Sequence, residues 1–381
     1  MTGRALRRTN TVYHSFGGPM NIGIPKERRP FEFRVGLSPA GVEMLVQHGH
    51  TVYVENEAGL GAGFSNQEYQ KAGATIVYSP HEVFGRADLL LKIARPMQNE
   101  IEMMRPGTIL MGLLHLASTR QERINALLAN QITSVAYEEI REPDGDMPVL
   151  RSLSQIGGIM TAQIAARLMQ SNSGGKGILL GGVAGVPPAE VVIIGAGTAG
   201  TCAAKAFLGV GAHVTVLDKS LEPLQRIHER FPSVVTMIST RRNIERATAY
   251  ADVVIGAVLV PGERSPIVLT RENFRAMKPR SLFIDLSIDQ GGCAETSRPT
   301  THDQPTYVEE GIIHFCVPNV PSLVARTATH AFVNAAMPYI RDLAQLGVED
   351  AMRQFPAIEA AVNTHQGELR HMHRWAAEKG A

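Results

Sequence analysis

The sequence predicts an α/β protein with two parallel-sheet domains, and three observations carry that reading. Short apolar strands alternate with helical stripes on both sides of the middle of the chain. In that middle, Val191-Val192-Ile193-Ile194 is a β-branched run suited to a strand buried on both faces, and Gly195-Ala196-Gly197-Thr198-Ala199-Gly200 follows at once. The length, 381 residues, is enough for two separate cores.

Composition narrows the partners. Charged residues are 19% of the chain and the net charge is +1, so neither nucleic acid nor a charged membrane surface is an expected partner. Cys202, Cys293 and Cys316 are odd in number and far apart. They form neither a metal spacing nor a disulfide framework, which fits a reducing cytosol and a cytoplasmic protein with no metal. Glycine, proline or charge interrupts every apolar stretch before twenty residues, so no transmembrane helix is expected.

Taken in order, residues 1–19 carry Arg4, Arg7 and Arg8 but no apolar run or small-residue cleavage site of a secretory signal. They are expected to be a loose tail or the result of an upstream start codon, with a transit peptide as the alternative, ahead of a strand at Asn21–Pro25. Ser38 can cap a helix that has Pro39 in its first turn and ends before Gly49. A strand at Thr51–Glu55, a helix at Asn66–Ala72 and a strand at Thr75–Tyr78 follow. Asp88–Ile93 and Thr108–Leu114 read as two more buried strands. Glu142-Pro143-Asp144-Gly145 is a turn and the expected crossing between domains. A helix from Ser154 to Met169 and a glycine-rich loop at 174–188 lead to the central strand. Beyond it the alternation resumes, with strands at His213–Leu217, Val234–Ile238, Asp252–Ala257 and Leu282–Leu286. The end of the chain reads as helices at Thr329–Leu346 and Glu349–Lys379, the last returning to the first domain.

The glycine triplet has the G-x-G-x-x-G spacing of a dinucleotide-binding turn. Gly195 allows the tight turn, Gly197 lets the backbone approach a pyrophosphate, and Gly200 lets the next helix pack close. That helix offers unpaired N–H groups to the phosphates. Asp218 ends the second strand, eighteen residues past Gly200, where a carboxylate suits a ribose 2′-hydroxyl and repels a 2′-phosphate. The reading is NAD rather than NADP, on one of two Rossmann-like domains. Residues 149–323 are expected to form the NAD domain, inserted in a discontinuous substrate domain of residues 1–148 and 324–381.

Several blocks outside that motif are more specific. Ile22-Gly23-Ile24-Pro25-Lys26-Glu27, Phe33-Arg34-Val35, Leu114-His115-Leu116-Ala117, Ile255-Gly256-Ala257-Val258-Leu259-Val260-Pro261-Gly262 and Ile288-Asp289-Gln290-Gly291-Gly292-Cys293 resemble those of the alanine dehydrogenases. That family is related to the NAD-binding part of nicotinamide nucleotide transhydrogenase, and the resemblance runs from residue 20 to about 370. It implies an NAD-dependent enzyme interconverting an amino acid with a 2-oxo acid, L-alanine and pyruvate first, and a homo-oligomer, a hexamer in that family. It also implies roles for single residues. Arg34 would bind the substrate carboxylate, for which a guanidinium fork is the matching shape; the alternative is a surface ion pair with Glu32. His115 would polarise the keto oxygen and exchange its proton, which suits an imidazole. Asp289 would lie near the nicotinamide ribose and help with protons. Ser154, at a helix start near the phosphates, and Asn319 would contact the cofactor.

The sequence departs from the family at the chemistry. Where the family reads K-V-K-E-P, with a second lysine on the substrate carboxylate, this chain has Lys92-Ile93-Ala94-Arg95-Pro96. Strand alternation puts Lys92 on the side of Ala94 and Arg95 on the other, so neither replaces the lysine. Ser154-Gln155-Ile156-Gly157-Gly158-Ile159 likewise lacks an acid and a base. Two other readings therefore stay open: a dehydrogenase or imine reductase acting on a larger amino acid, and a transhydrogenase-like NAD-binding module without dehydrogenase activity.

Overall fold

The computed structural model describes residues 18–116, 119–260 and 264–371. The expected loose tail lies almost wholly outside these residues, as do Ala117, Pro261-Gly262 and the 372–379 end of the expected last helix. The strands of the first half are β1 (Asn21–Ile24), β2 (Thr51–Glu55), β3 (Thr75–Val77), β4 (Leu89–Ala94), β5 (Ile109–Leu113) and β6 (Thr133–Ala136). They pair in the order β3-β2-β1-β4-β5-β6, all parallel. The second half contributes β7 (Glu190–Ile194), β8 (His213–Asp218), β9 (Val235–Ile238), β10 (Val253–Gly256), β11 (Leu282–Asp285), β12 (Thr306–Glu309) and β13 (Ile312–Phe315). Their order is β9-β8-β7-β10-β11-β13, again parallel, with β12 added antiparallel at the edge. Both sheets thus have the doubly wound order, which reverses between β1 and β4 in one and between β7 and β10 in the other.

Twelve helices cover these sheets among the described residues: α1 (Pro39–Gln47), α2 (Asn66–Lys71), α3 (Pro80–Arg86), α4 (Gln98–Met103), α5 (Gln121–Ala129), α6 (Pro148–Leu168), α7 (Thr198–Gly209), α8 (Leu221–Arg230), α9 (Arg241–Tyr250), α10 (Arg271–Ala276), α11 (Ala325–Gln354) and α12 (Pro356–Glu359). Ser38 caps α1 as expected, accepting a hydrogen bond from the Gly41 backbone with Pro39 in the first turn. Helices α6 and α11 tie the halves together. A continuous apolar core runs from Ile22, Leu91 and Tyr137 through Met160 and Phe332 to Ile193 and Ile284. The Tyr137 and Phe332 rings meet edge-on, 4.9 Å between centroids. α6 packs on α7 so closely that a Cβ at Gly158 would stand 2.2 Å from the Ala199 carbonyl oxygen.

Two expectations are corrected. The helix expected from Ser154 begins six residues earlier, because Pro148 at its first position supplies a preset φ where no N–H is needed; Ser154 lies inside it. The helix expected over Glu349–Lys379 stops at Gln354. Phe355 precedes Pro356 and is extended (φ −124°, ψ 97°), as the proline ring requires. The chain then makes a hairpin of β14 (Val362–His365) and β15 (Glu368–Leu369), and β14 joins β6 antiparallel. Gln366 and Gly367, at φ 49° and 82°, form its two-residue turn. α11 itself breaks at Gly347 (φ 74°), between the two expected helical stretches.

Candidate active site

The carboxyl ends of parallel strands collect the candidate residues, as expected for doubly wound sheets. Arg34 follows β1, His115 follows β5, Gly195 follows β7, Asp289 follows β11 and Asn319 follows β13, while Asp218 ends β8. Gly195 sits at φ 110°, and a Cβ there would lie 2.2 Å from the Ala257 carbonyl oxygen. A Cβ on Gly200 would lie 1.8 Å from the Gly195 carbonyl oxygen, so the start of α7 can lie on the turn only as glycine. Gly197, the N-cap of α7, faces open space with no atom within 4 Å of where its Cβ would be. This is the room a pyrophosphate needs against backbone N–H groups, so the loop fits a dinucleotide. Asp218 accepts from the Ala196 backbone at 2.8 Å and the Ser220 backbone at 2.9 Å, which fixes its carboxylate beside the turn. Ser154 lies one helical turn before Gly158, the point at which α6 touches the start of α7.

Arg34 is not on a surface. It is 2% exposed and pairs with Glu32, its Nε and Nη2 each 2.7 Å from a Glu32 carboxylate oxygen. The ion pair weighed from the sequence therefore exists, but it is buried and consumes the fork expected for a substrate. Nη2 also donates to Asn319 Oδ1, and Asn319 Nδ2 donates back to Glu32. Burial pushes the Glu32 carboxyl upward, but the Arg34 charge and the hydrogen bonds from Arg34 and Asn319 outweigh it and hold it below the usual carboxylate range. Nη1 alone has no hydrogen-bond partner among the described residues. An unsatisfied buried donor costs about 1–3 kcal/mol, so Nη1 is primed for an incoming acceptor. Asn319, expected against the cofactor, has both amide atoms on this ion pair, and its backbone N–H donates to Asp289 Oδ2 at 3.2 Å. It links Arg34 to Asp289.

His115 has φ 43°, unusual for a residue with a side chain, and Glu138 accounts for it. The Glu138 carboxylate accepts from the backbone N–H groups of both Leu114 and His115, and its Oε1 lies 3.7 Å from His115 Nδ1. Glu138 thus holds the turn that aims the imidazole. Asp289 is exposed on a short turn whose base is fixed by buried Asp285. Asp285 accepts from the Ser287 backbone (2.8 Å), the Cys293 backbone (3.0 Å) and Ser297 Oγ (2.5 Å). Burial raises the Asp285 carboxyl despite these donors. Among the described residues no group of three or more His, Cys, Asp or Glu is placed to hold a metal ion, and no helix is long and apolar enough to cross a membrane.

Two family models match this chain: the alanine dehydrogenase/PNT N-terminal domain over residues 23–157 and the C-terminal domain over 161–372. The chain belongs to the alanine dehydrogenase/PNT family. It is 44% identical to alanine dehydrogenases of Staphylococcus haemolyticus (354 residues) and Methanococcus maripaludis (352 residues), in each case over 92% of this chain and 94% of the relative. An L-alanine dehydrogenase structure superposes with a TM-score of 0.89 at 41% identity, covering 95% of this chain and 99% of that one. A transhydrogenase structure from Sinorhizobium meliloti gives 0.79 at 26% identity, over 92% of this chain and all of that one. As a member of the alanine dehydrogenase/PNT family the chain is an NAD-dependent amino-acid dehydrogenase.

Within this alanine dehydrogenase/PNT frame the strand expected to bear the missing lysine is revealing. Lys92 is 1% exposed, with Nζ 3.0 Å from Glu27 and 3.1 Å from Glu100, so it is committed inside the first sheet. Burial raises the Glu27 carboxyl, only partly offset by Lys92; burial lowers the Lys92 ammonium, but the two carboxylates reverse that and raise it. Glu27 also accepts from the backbones of Ile93 and Ala94. Arg95 follows strand β4, which ends at Ala94 after a register shift against β5. Its Nη1 donates to Thr119 Oγ1 at 3.2 Å, and Thr119 Oγ1 donates to the His115 carbonyl at 3.2 Å, which brings Arg95 beside His115. Glu138 and Asp285 are positioning residues that sequence reasoning missed; Glu32 was weighed there only as a surface partner of Arg34. Glu138 carried a signal, as an acid directly after an apolar strand.

Proposed function

We propose that the enzyme reversibly deaminates L-alanine, giving pyruvate and ammonia, with NAD as its cofactor. The reading is supported by the hydrogen-bonded link from Arg34 through Asn319 to Asp289, with His115 at the carboxyl end of a parallel strand, in a chain 44% identical to alanine dehydrogenases. When bound, NAD supplies the hydride acceptor or donor for the substrate Cα. In this scheme Arg34 Nη1 donates to the substrate carboxylate, and Glu32 and Asn319 hold the guanidinium still. The His115 imidazole, oriented through Glu138, exchanges a proton with the oxygen or water at the reacting carbon. Asp289, tied to the same network through Asn319, accepts or returns protons at the open edge.

The test is NADH oxidation with ammonia and a panel of 2-oxo acids from pyruvate to aromatic ones. Pyruvate is expected to give the highest kcat/KM. Arg34→Ala is expected to lower it by about 10- to 100-fold, the equivalent of one charged hydrogen bond. Turnover confined to a bulky 2-oxo acid would replace alanine with a larger substrate. Tight NADH binding with no turnover of any acid would leave only a nucleotide-binding module.

A further inference from the structure

Three arginines near the candidate residues lack a direct ion pair. Among the described residues Arg29, Arg95 and Arg123 form no ion pair within 4.0 Å, although Arg95 is beside Thr119 and His115. Arg95 Nε is buried and has no hydrogen-bond partner, like Nη1 of Arg34. The nearby acids hold hydrogen bonds or ion pairs of their own, Glu27 to Lys92, Glu32 to Arg34, Glu138 to the Leu114 and His115 backbones and Asp289 to the Asn319 backbone, and act on these arginines only at longer range. Burial, then repulsion from Arg29 and Arg123, pulls the Arg95 guanidinium down to about 10 against a partial offset from Asp289 and Glu138; burial and Arg123 also lower Arg29, against Glu27, Glu32 and Asp289. These guanidiniums repel one another more than the nearby carboxylates offset, and an anion arriving from outside relieves that repulsion.

We propose that Arg95, backed by Arg29 and Arg123, is a second carboxylate-binding site of the cleft, sharing the substrate anion with Arg34. A second cation would strengthen the site because Arg34 has already given Nε and Nη2 to Glu32, so it meets a carboxylate with Nη1 alone. Ala94 offers no charge, and Lys92 is locked between Glu27 and Glu100. Arg95 is the cation the sheet end does present. This inference rests on the reading of the cleft as a 2-oxo acid site, and it assigns the carboxylate-binding role to a residue on the loop after β4.

Two measurements test it. Oxalate serves as the probe carboxylate in calorimetric titration of the cofactor-free enzyme, and pyruvate as the substrate with NADH and ammonia. Arg95→Met is expected to weaken oxalate and raise the pyruvate KM by about 10- to 100-fold, the effect of one lost charged hydrogen bond. The kcat is expected to stay within a few-fold and the NADH affinity to be unchanged. Arg95→Lys is expected to recover part of the loss, because it restores charge without the fork. Arg123→Gln, on the half-buried face of α5, is expected to weaken oxalate by a few-fold and guards against misfolding of the Arg95 variants. Oxalate binding and pyruvate KM unchanged in folded Arg95→Met, or no oxalate binding to the wild-type enzyme, overturns the proposal. If the wild-type enzyme does not turn over pyruvate, the alanine reading fails on its own, and the oxalate titration still decides the role of Arg95.

Discussion

Glu139 offers a sharp test of how the carboxy-terminal hairpin is joined to the first sheet. It follows Glu138 at the end of β6, and its Oε2 accepts from Asn363 Nδ2 of β14 at 2.6 Å. The other amide atom, Asn363 Oδ1, is buried without a partner. A neutral Glu139 can donate its proton to that oxygen and close an acid–amide pair; an ionised one cannot. Burial, and then repulsion from Glu138, raises the Glu139 carboxyl from 4.5 to about 7, with the Asn363 hydrogen bond and the His115 and His371 side chains acting the other way. At about 1.4 kcal/mol per pH unit, this amounts to about 3 kcal/mol. Below pH 4.5 the folded and unfolded chains both hold the proton and the hairpin is at full strength. Between 4.5 and about 7 the unfolded chain ionises first, so stability falls as pH rises through that window. Above it the whole increment is lost.

Glu139→Gln keeps a donor and an acceptor for Asn363 and removes the titration. Relative to wild type it is expected to become more stable as pH rises, gaining about 3 kcal/mol between pH 4.5 and 8. Urea denaturation followed by circular dichroism at half-unit pH steps gives the difference. A difference that stays flat from pH 4.5 to 8 would refute the reasoning.

Other outcomes follow from the nucleotide turn and the Arg34 pair. Asp218→Ala is expected to narrow the preference for NADH over NADPH and to weaken NADH itself, since the Ala196 backbone loses its acceptor; fluorescence titration of both cofactors reads this, and an unchanged ratio rejects the ribose role. Gly200→Ala places a methyl 1.8 Å from the Gly195 carbonyl oxygen, and the resulting overpacking of about 1–3 kcal/mol should appear as a higher NADH Kd and a lower Tm. Glu32→Gln leaves Arg34 buried with a neutral partner; the pyruvate KM should change while NADH affinity does not, and unaltered steady-state kinetics would remove Glu32 from the site.

Much of this protein is set locally and so could be read along the chain. The glycine turn depends on contacts within six residues and on one facing carbonyl, and the parallel strands announce themselves because both faces are buried and must be apolar. Pro148, Pro356 and the Gln366-Gly367 turn were also written locally, and they set the true start of α6 and the carboxy-terminal hairpin where apolar periodicity alone suggests otherwise. The site required the tertiary structure, because its pairs are distant in sequence. Asn319 meets Arg34 across 285 residues, Glu138 meets His115 across 23, and Asn363 meets Glu139 across 224. No periodicity encodes such pairs, since a buried charge takes whichever partner the packing of two sheets brings to it.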